Sequence, residues 1–335
     1  MATTTMINST EFPTTSSMMT GIPDSWHESL ISALVAVCGT LFNSLSLLYF
    51  IKHDSEQLGS KLLILLNVFD LCVCTSSALT VFLELHNSAR GPIESVSYAL
   101  DVLLAVYVVA GESTAFSTCL LSVVRCWCLS LPFNRVTTRS LVRSTFCFLL
   151  YIVSREAAFV VLTWTCQDYH GCGLATFEVV RHYLTIGSMS IIIFLVVVSN
   201  AISIKKVISS RGSEDLVEVT KRAAVTVLLV SANFCLYNTS FIVLFCYFLK
   251  IPHAQARGNK TIRVLEYLTY RVFLPMNSAT NPLIYLVRKL EMRQFVLGLL
   301  NRMRLFFVPD CGGQIDTDHS HTEELVNLTT SKIAD

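Results

Sequence analysis

Charged residues are scarce in this sequence: Asp, Glu, Lys and Arg make up only 15% of its 335 residues, whereas hydrophobic residues make up 53%. So little charge excludes an ordinary soluble domain, in which about 25% of the residues are charged. The net charge of +1 gives no sign of binding to nucleic acid. We therefore expect a chain that lies in a lipid bilayer.

Several sequence signatures are also absent. No internal repeat is apparent, which disfavours the duplicated halves of many transporters. The sequence has no His-Glu-x-x-His or Gly-x-Ser-x-Gly motif, so an enzyme is not expected. His86, His170 and His182 are too scattered for a metal site. A membrane transporter or channel is the alternative to the interpretation that follows.

Long apolar runs dominate the sequence instead. Seven stretches have about the 20 residues that a helix needs to cross a membrane. They lie near residues 30–51, 62–85, 97–130, 144–164, 183–204, 222–249 and 264–287. The predicted fold is therefore all-α, a bundle of seven transmembrane helices, which we number 1 to 7 in chain order. The pattern after helix 7 predicts a short amphipathic cytoplasmic helix.

Basic residues predict the orientation of these helices. The first 29 residues contain no Lys or Arg, whereas Lys52 and Lys61 follow helix 1. The amino terminus is therefore expected outside a plasma membrane that the chain crosses several times. Residues 1–28 are predicted to be a disordered extracellular tail, 29–305 the membrane domain and 306–335 a disordered cytoplasmic tail, because both tails are polar and poor in aromatic residues.

The predicted outside segments contain candidate modification sites. Asn8 and Asn259 each begin an Asn-x-Ser/Thr sequon, so both are predicted glycosylation sites. Cys166 and Cys172 are the two cysteines of a predicted outside loop, and we expect a disulfide between them. A bridge from either residue to Cys246 is the alternative.

Helix 7 contains the most specific motif of the sequence. The segment from Asn277 to Tyr285 ends in Asn-Pro-x-x-Tyr. Within it, Pro282 removes a backbone donor and is expected to kink the helix. This motif resembles helix 7 of the rhodopsin-like G-protein-coupled receptors, and the resemblance covers roughly residues 30–305.

A second match to that family lies in helix 2, where Leu66 and Asp70 fit a Leu-x-x-x-Asp pattern. A carboxylate in the middle of a membrane needs polar neighbours. The resemblance implies a polar switch with a sodium ion at Asp70. Its residues are Asn43, Asp70, Thr114, Asn277, Ser278, Asn281 and Tyr285. A hydrogen-bond network without an ion is the alternative.

Helix 3 ends in a segment that resembles the Asp-Arg-Tyr motif of the family. Only the arginine, Arg125, is retained, since Val124 replaces the acid. The resemblance implies that Arg125 contacts a G protein. Glu218, at the start of helix 6, is the acid that we expect to restrain Arg125 in its place; a solvated Glu218 is the alternative.

Departures from the family narrow the class of ligand. Amine receptors have an aspartate where this sequence has Tyr107, and light receptors have a lysine where it has Pro275. Neither a monoamine receptor nor an opsin is therefore expected. Helix 6 lacks the family tryptophan and proline, and the Arg-Cys-x-Cys ending of helix 3 is loosely similar to divergent chemosensory receptors of invertebrates.

Charged and aromatic residues within the helices are the predicted ligand contacts. Glu112 and Arg155 are expected to pair, because charges at this depth face protein. Arg271 lies where ligands of the family commonly bind and would capture an acidic ligand; a solvated charge is the alternative. The predicted ligand-binding residues are Tyr107, Glu112, Arg155, Tyr237 and Arg271.

The resemblance thus implies a receptor. We expect it to bind an extracellular ligand, either a chemosensory small molecule or a peptide, and to activate a heterotrimeric G protein by rearranging helices 3, 6 and 7. The bilayer is its other expected partner, and no nucleic acid is expected. No catalytic residue, and no cofactor other than the sodium ion, is expected.

Overall fold

The computed structural model describes residues 26–53, 58–90, 94–130, 138–166, 174–209, 214–250, 264 and 267–307. These ranges contain helices and no strand. The all-α prediction is therefore confirmed for the described part of the chain.

Six long helices begin the described part of the chain. They are α1 (Trp26–His53), α2 (Leu58–Arg90), α3 (Glu94–Ser130), α4 (Thr138–Cys166), α5 (Leu174–Ser209) and α6 (Glu214–Lys250). Each helix contains one of the first six predicted apolar segments and extends beyond it at one or both ends. The extensions are more polar than the segments, because only the middle of such a helix has to match the hydrocarbon core.

All six helices are long and apolar enough to cross a membrane. Large apolar side chains are exposed along them; on α1, for example, Leu34 is 62% exposed and Leu41 59%. Water disfavours exposed apolar rows of this kind, whereas lipid accepts them. The chain is therefore a multi-pass membrane protein.

The seventh predicted segment has a different form. It contains a π-helical turn, Leu268–Phe273, followed by α7, Leu274–Arg288. The 15 residues of α7 span about 22 Å at 1.5 Å per residue, less than the hydrocarbon core of about 30 Å. Pro282 lies inside α7, as the motif requires. On length alone, α7 is thus a weaker candidate for crossing the membrane than the six helices before it.

A further helix, α8 (Leu290–Phe307), follows α7 directly. The C-cap of α7 is Lys289, whose extended backbone separates the two helices. The short helix predicted after helix 7 is therefore present. By its contacts the chain divides into two compact units, Met1–Arg293 and Gln294–Asp335, and the boundary falls within α8.

Within the first unit, α3 is the central helix. It packs against α2, α4, α5 and α6, while α7 packs against α1, α2 and α6. One apolar cluster joins α3, α5 and α6; its buried members are Ala115, Cys119, Met189, Ile192, Val196 and Phe234. The centre of this unit thus lies along the face of α3 that packs against α5 and α6.

Gly39 allows α1 to approach α2 and α7 closely. A Cβ atom at this position would lie 2.5 Å from the Cys74 sulfur and 3.0 Å from the Ala279 Cβ. Small residues at helix contacts are common in membranes, where close packing rather than exclusion of water drives association. An alanine at residue 39 would therefore force the Cys74 side chain to turn and α1 to shift from α7 by a few tenths of an ångström.

We predict that Gly39→Ala destabilises the protein by about 1–3 kcal/mol, because the added methyl group forces α1 outward. Thermal unfolding of the purified protein in detergent measures this effect. Gly59→Ala is the matched control, since a Cβ on Gly59 meets no atom within 4 Å. Equal unfolding temperatures for the two variants would contradict the close contact of α1 with α2.

Candidate functional site

A buried carboxylate on α2 accepts hydrogen bonds from polar side chains of two other helices. Asp70 is fully buried. Thr114 on α3 donates a hydrogen bond to Asp70 Oδ1 at 3.0 Å, and Asn281 Nδ2 on α7 donates to Asp70 Oδ2 at 2.8 Å. The structure therefore brings together three of the predicted switch residues, one from each of three helices.

The network continues to α6 through a residue that the sequence analysis did not select. Asn233 Nδ2 donates to the backbone oxygen of Asn277 at 3.1 Å, to Asn277 Oδ1 at 3.2 Å and to Asn281 Oδ1 at 3.3 Å. One amide thus connects α6 to two residues of α7. The signal in the sequence was an asparagine within an apolar helix, where polar side chains commonly bond across helices.

Two other predicted switch residues lie beside this network. Asn43 on α1 donates from Nδ2 to the backbone oxygens of Gly39 at 2.9 Å and Ser278 at 3.2 Å. Ser278 is itself fully buried. Asn43 therefore joins α1 to the backbone of α7.

Tyr285, the last residue of the helix 7 motif, packs in an aromatic cluster. It is fully buried, and its ring meets Phe50 of α1 edge-on at 5.5 Å between centroids. The Lys289 ammonium lies 4.8 Å from the Phe50 ring centre, and Tyr49 donates a hydrogen bond to Glu291 at 3.0 Å. These contacts attach the end of α7 to α1.

A second polar centre consists of four charged residues on α3, α4 and α5. Arg155 Nη2 lies 2.5 Å from Glu112 Oε1 and 2.8 Å from Glu156 Oε1. Arg181 lies 2.9 Å from Glu156 Oε2, and Thr185 donates to Glu112 Oε1 at 3.2 Å. The expected pair of Glu112 and Arg155 is thus present as part of a larger cluster.

The charges of this cluster balance, since two arginines face two glutamates. All four side chains are at most 8% exposed. An unpaired charge at such a position would be costly, so each guanidinium needs its carboxylate. Arg181 gains a further contact, because its guanidinium lies 4.0 Å from the centre of the Phe159 ring. The cluster therefore ties α3, α4 and α5 together.

The remaining predicted ligand contacts lie apart from that cluster. Tyr107 is buried on α3 and packs with Val73 and Ala110. Tyr237 on α6 lies 6.1 Å from Phe273, measured between ring centroids. The predicted ligand residues therefore occupy more than one region of the bundle.

Arg271 has a partner that was not expected. Its guanidinium forms an ion pair with Glu84 of α2, and its backbone oxygen accepts a hydrogen bond from Ser32 of α1 at 3.0 Å. Arg271 is therefore not a solvated loop charge, because a carboxylate of the chain faces it. Its position in the last turn of the π-helix brings it against both α1 and α2.

The predicted G-protein residues are only partly described. Arg125 lies on α3, five residues before the end of the helix, and is half-buried. Glu218 lies on α6, but its side chain is outside the described residues. The side chain of Cys166, and the whole of Cys172, Asn8 and Asn259, are outside them as well. The disulfide and the glycosylation sites stay predictions.

The sodium ion that the resemblance implies at Asp70 stays a prediction. The two Asp70 oxygens accept hydrogen bonds from Thr114 and Asn281. Asn43 Oδ1 and Ser278 Oγ are buried oxygen atoms without a hydrogen-bond partner among the described residues, and oxygen atoms are the ligands of hard cations.

No protein-family model and no curated protein matches the chain.

The charge balance of the four-residue cluster on α3, α4 and α5 gives a prediction. Arg155→Leu is expected to destabilise the protein by about 3–5 kcal/mol, because it leaves Glu112 buried without a cation. The double variant Glu112→Leu/Arg155→Leu removes both charges and leaves Glu156 with Arg181. Its unfolding temperature in detergent is expected to lie closer to that of the parent.

Arg143→Leu is the control for this series, because Arg143 is exposed on the same helix. It is expected to leave the unfolding temperature nearly unchanged. A double variant less stable than Arg155→Leu would show that the Glu112 to Arg155 pair is not the source of the effect.

Proposed function

We propose that this protein is a rhodopsin-like G-protein-coupled receptor. In this proposal α7 with its π-helical turn is the seventh crossing of a plasma membrane, the amino terminus is outside and α8 lies in the cytoplasm. The sequence motifs around Asp70, Arg125 and Tyr285 suggest this function. The contacts of α7 support it.

The observation that carries the proposal is the polar network that joins α2, α3, α6 and α7. In this network Thr114 and Asn281 donate to Asp70, and Asn233 donates to Asn281. A receptor of this kind needs its helices to change position relative to one another. Hydrogen bonds between side chains of neighbouring membrane helices contribute about 1 kcal/mol each. Bonds of this strength hold the helices in one arrangement but can be broken when the receptor changes from its resting to its active state.

Pro282 supports the same function from within α7. It removes one backbone donor from the helix next to Asn281. The preceding π-helical turn, Leu268–Phe273, is a second irregularity in the same segment. Such turns occur frequently at functional sites. The segment thus has two local irregularities, one on each side of Asn277 and Asn281.

The ligand in this proposal is an extracellular small molecule or peptide. Tyr107 and Tyr237 are the described aromatic candidates for contacting it. Because Arg271 is paired with Glu84, an acidic ligand would have to displace Glu84 in order to reach this guanidinium. In this proposal an acidic ligand binds only if its carboxylate competes successfully with that of Glu84 for the Arg271 guanidinium.

A transporter or channel is the alternative function. Such a protein lines a pathway with charged or polar groups. In the described residues, however, the ion pairs Glu112–Arg155, Glu156–Arg181 and Glu84–Arg271 are contacts between helices in which opposite charges cancel. This arrangement favours the receptor.

The decisive test measures activation of heterotrimeric G proteins in cells, with a panel of transducers and a chemically diverse ligand library. Arg125→Ala is expected to abolish activation, because the guanidinium is the G-protein contact. Arg143→Ala, which removes an exposed arginine from α4, should retain most of it. Full activation by Arg125→Ala at equal surface expression would count against the receptor function.

A second prediction concerns the resting state. The acid that normally precedes the helix 3 arginine is Val124 here, so we assign the restraining charge to Glu218. An ion pair near the membrane surface contributes about 1 kcal/mol, which shifts a two-state equilibrium several-fold. Glu218→Gln should therefore raise ligand-independent activation several-fold, measured at matched surface expression. Glu214→Gln, one helical turn earlier, is the control, and equal activation by the two variants would contradict the assignment.

A further inference from the structure

One exposed side of α8 combines leucines with arginine. Residues 290, 293, 297 and 300 follow one another at spacings of three or four, so they form a single stripe along the helix. Leu290 is 48% exposed, Leu297 59% and Leu300 50%, and Arg293 is exposed between them. The sequence continues the same spacing with Arg304. These five positions are called the Leu-Arg stripe below.

The segment that contains the stripe is strongly basic. Residues 288–304 include five arginines or lysines and a single acid, Glu291. Glu291 accepts a hydrogen bond from Tyr49 on α1 at 3.0 Å, so its carboxylate is turned to α1 and not to the stripe. The stripe therefore presents positive charge together with apolar surface.

The stripe begins close to side chains that face lipid. Val287, in the last turn of α7, is 69% exposed and lies only three residues before Leu290. Water disfavours such a row of large apolar side chains, whereas the hydrocarbon core disfavours arginine. Both kinds of side chain are accommodated at the boundary between headgroups and acyl chains, where a long arginine side chain can reach the phosphates while the leucines stay apolar.

We propose that the Leu-Arg stripe docks on the membrane surface and selects anionic phospholipids. The leucines enter the acyl region, and the Arg293 guanidinium binds headgroup phosphate, a pairing that its planar fork favours. Phosphatidylcholine also has a phosphate, but its choline cation offsets the charge. Each arginine near an anionic surface should therefore favour the anionic lipid by about five-fold. This inference does not depend on the receptor function, because it needs only that the chain lies in a bilayer.

Amide hydrogen exchange of the full-length protein in lipid nanodiscs tests the proposal. A single helix of this length is marginal in water, so slow exchange in α8 reports that the helix is docked. Residues 294–307 should exchange about five-fold more slowly, or slower still, in discs that contain phosphatidylserine than in discs of phosphatidylcholine alone. In about 1 M sodium chloride, where the screening length falls to about 3 Å, this difference should disappear.

The variants separate the stripe from the overall charge of the helix. Arg293→Gln should reduce the ratio of the two exchange rates by about five-fold. Arg302→Gln is the matched control, because Arg302 is exposed on the same helix but lies two and a half turns after Arg293, on the opposite side. It removes the same charge and should keep most of the ratio. Leu297→Gln should instead speed exchange in both lipids, because it removes apolar contact.

Three results would overturn the proposal. One is equal exchange of the parent protein in the two kinds of disc. Another is an equal loss of the lipid preference in Arg293→Gln and Arg302→Gln, which would show attraction by net charge and not by the stripe. The third is protection of α8 that rises with protein concentration and not with phosphatidylserine, which would assign the stripe to contact with a second copy of the chain.

Discussion

The requirement that a buried charge be satisfied within the protein determines much of this structure. The hydrocarbon core offers no water, so a polar group there must bond to the chain itself. Asp70 lies on α2, and its donors are Thr114 on α3 and Asn281 on α7. Because each carboxylate oxygen needs its donor within about 3 Å, these three helices must adjoin at this depth.

The central helix α3 contributes a residue to each of the two buried polar centres, the Asp70 network and the cluster of charged residues around Arg155. Glu112 and Thr114 are only two residues apart, and side chains at that spacing point to nearly opposite sides of a helix. Thr114 therefore faces Asp70 while Glu112 faces Arg155 and Thr185. The two polar centres, one on each side of α3, together hold α2, α4, α5 and α7 around it. Rotation of α3 would strain bonds in both centres at once.

Some of these contacts could be predicted from single residues. A charge in an apolar helix must pair, and adjacent helices limit the choice of partner, which is why Glu112 was expected to face Arg155. The roles of Arg181 and Glu84 could not be anticipated in this way, because each lies within the first or last ten residues of its helix, where a solvated side chain is the usual outcome. Asn233 was missed because its side chain carries no charge and so does not have to pair with another helix. An asparagine in a helix can instead donate to a backbone oxygen of its own helix, as Asn238 does.

The sequence by itself predicted seven apolar helical segments, and in the described residues six of them are helices long and apolar enough to cross a membrane. These properties depend on runs of about 20 neighbouring residues. Only the tertiary structure decided which polar groups meet, because the partners of Asp70, Arg271 and Asn233 lie on helices far away in the chain. It also decided the form of the seventh segment. There the apolar composition predicted one continuous helix, whereas the backbone makes a π-helical turn that presents Arg271 to Glu84.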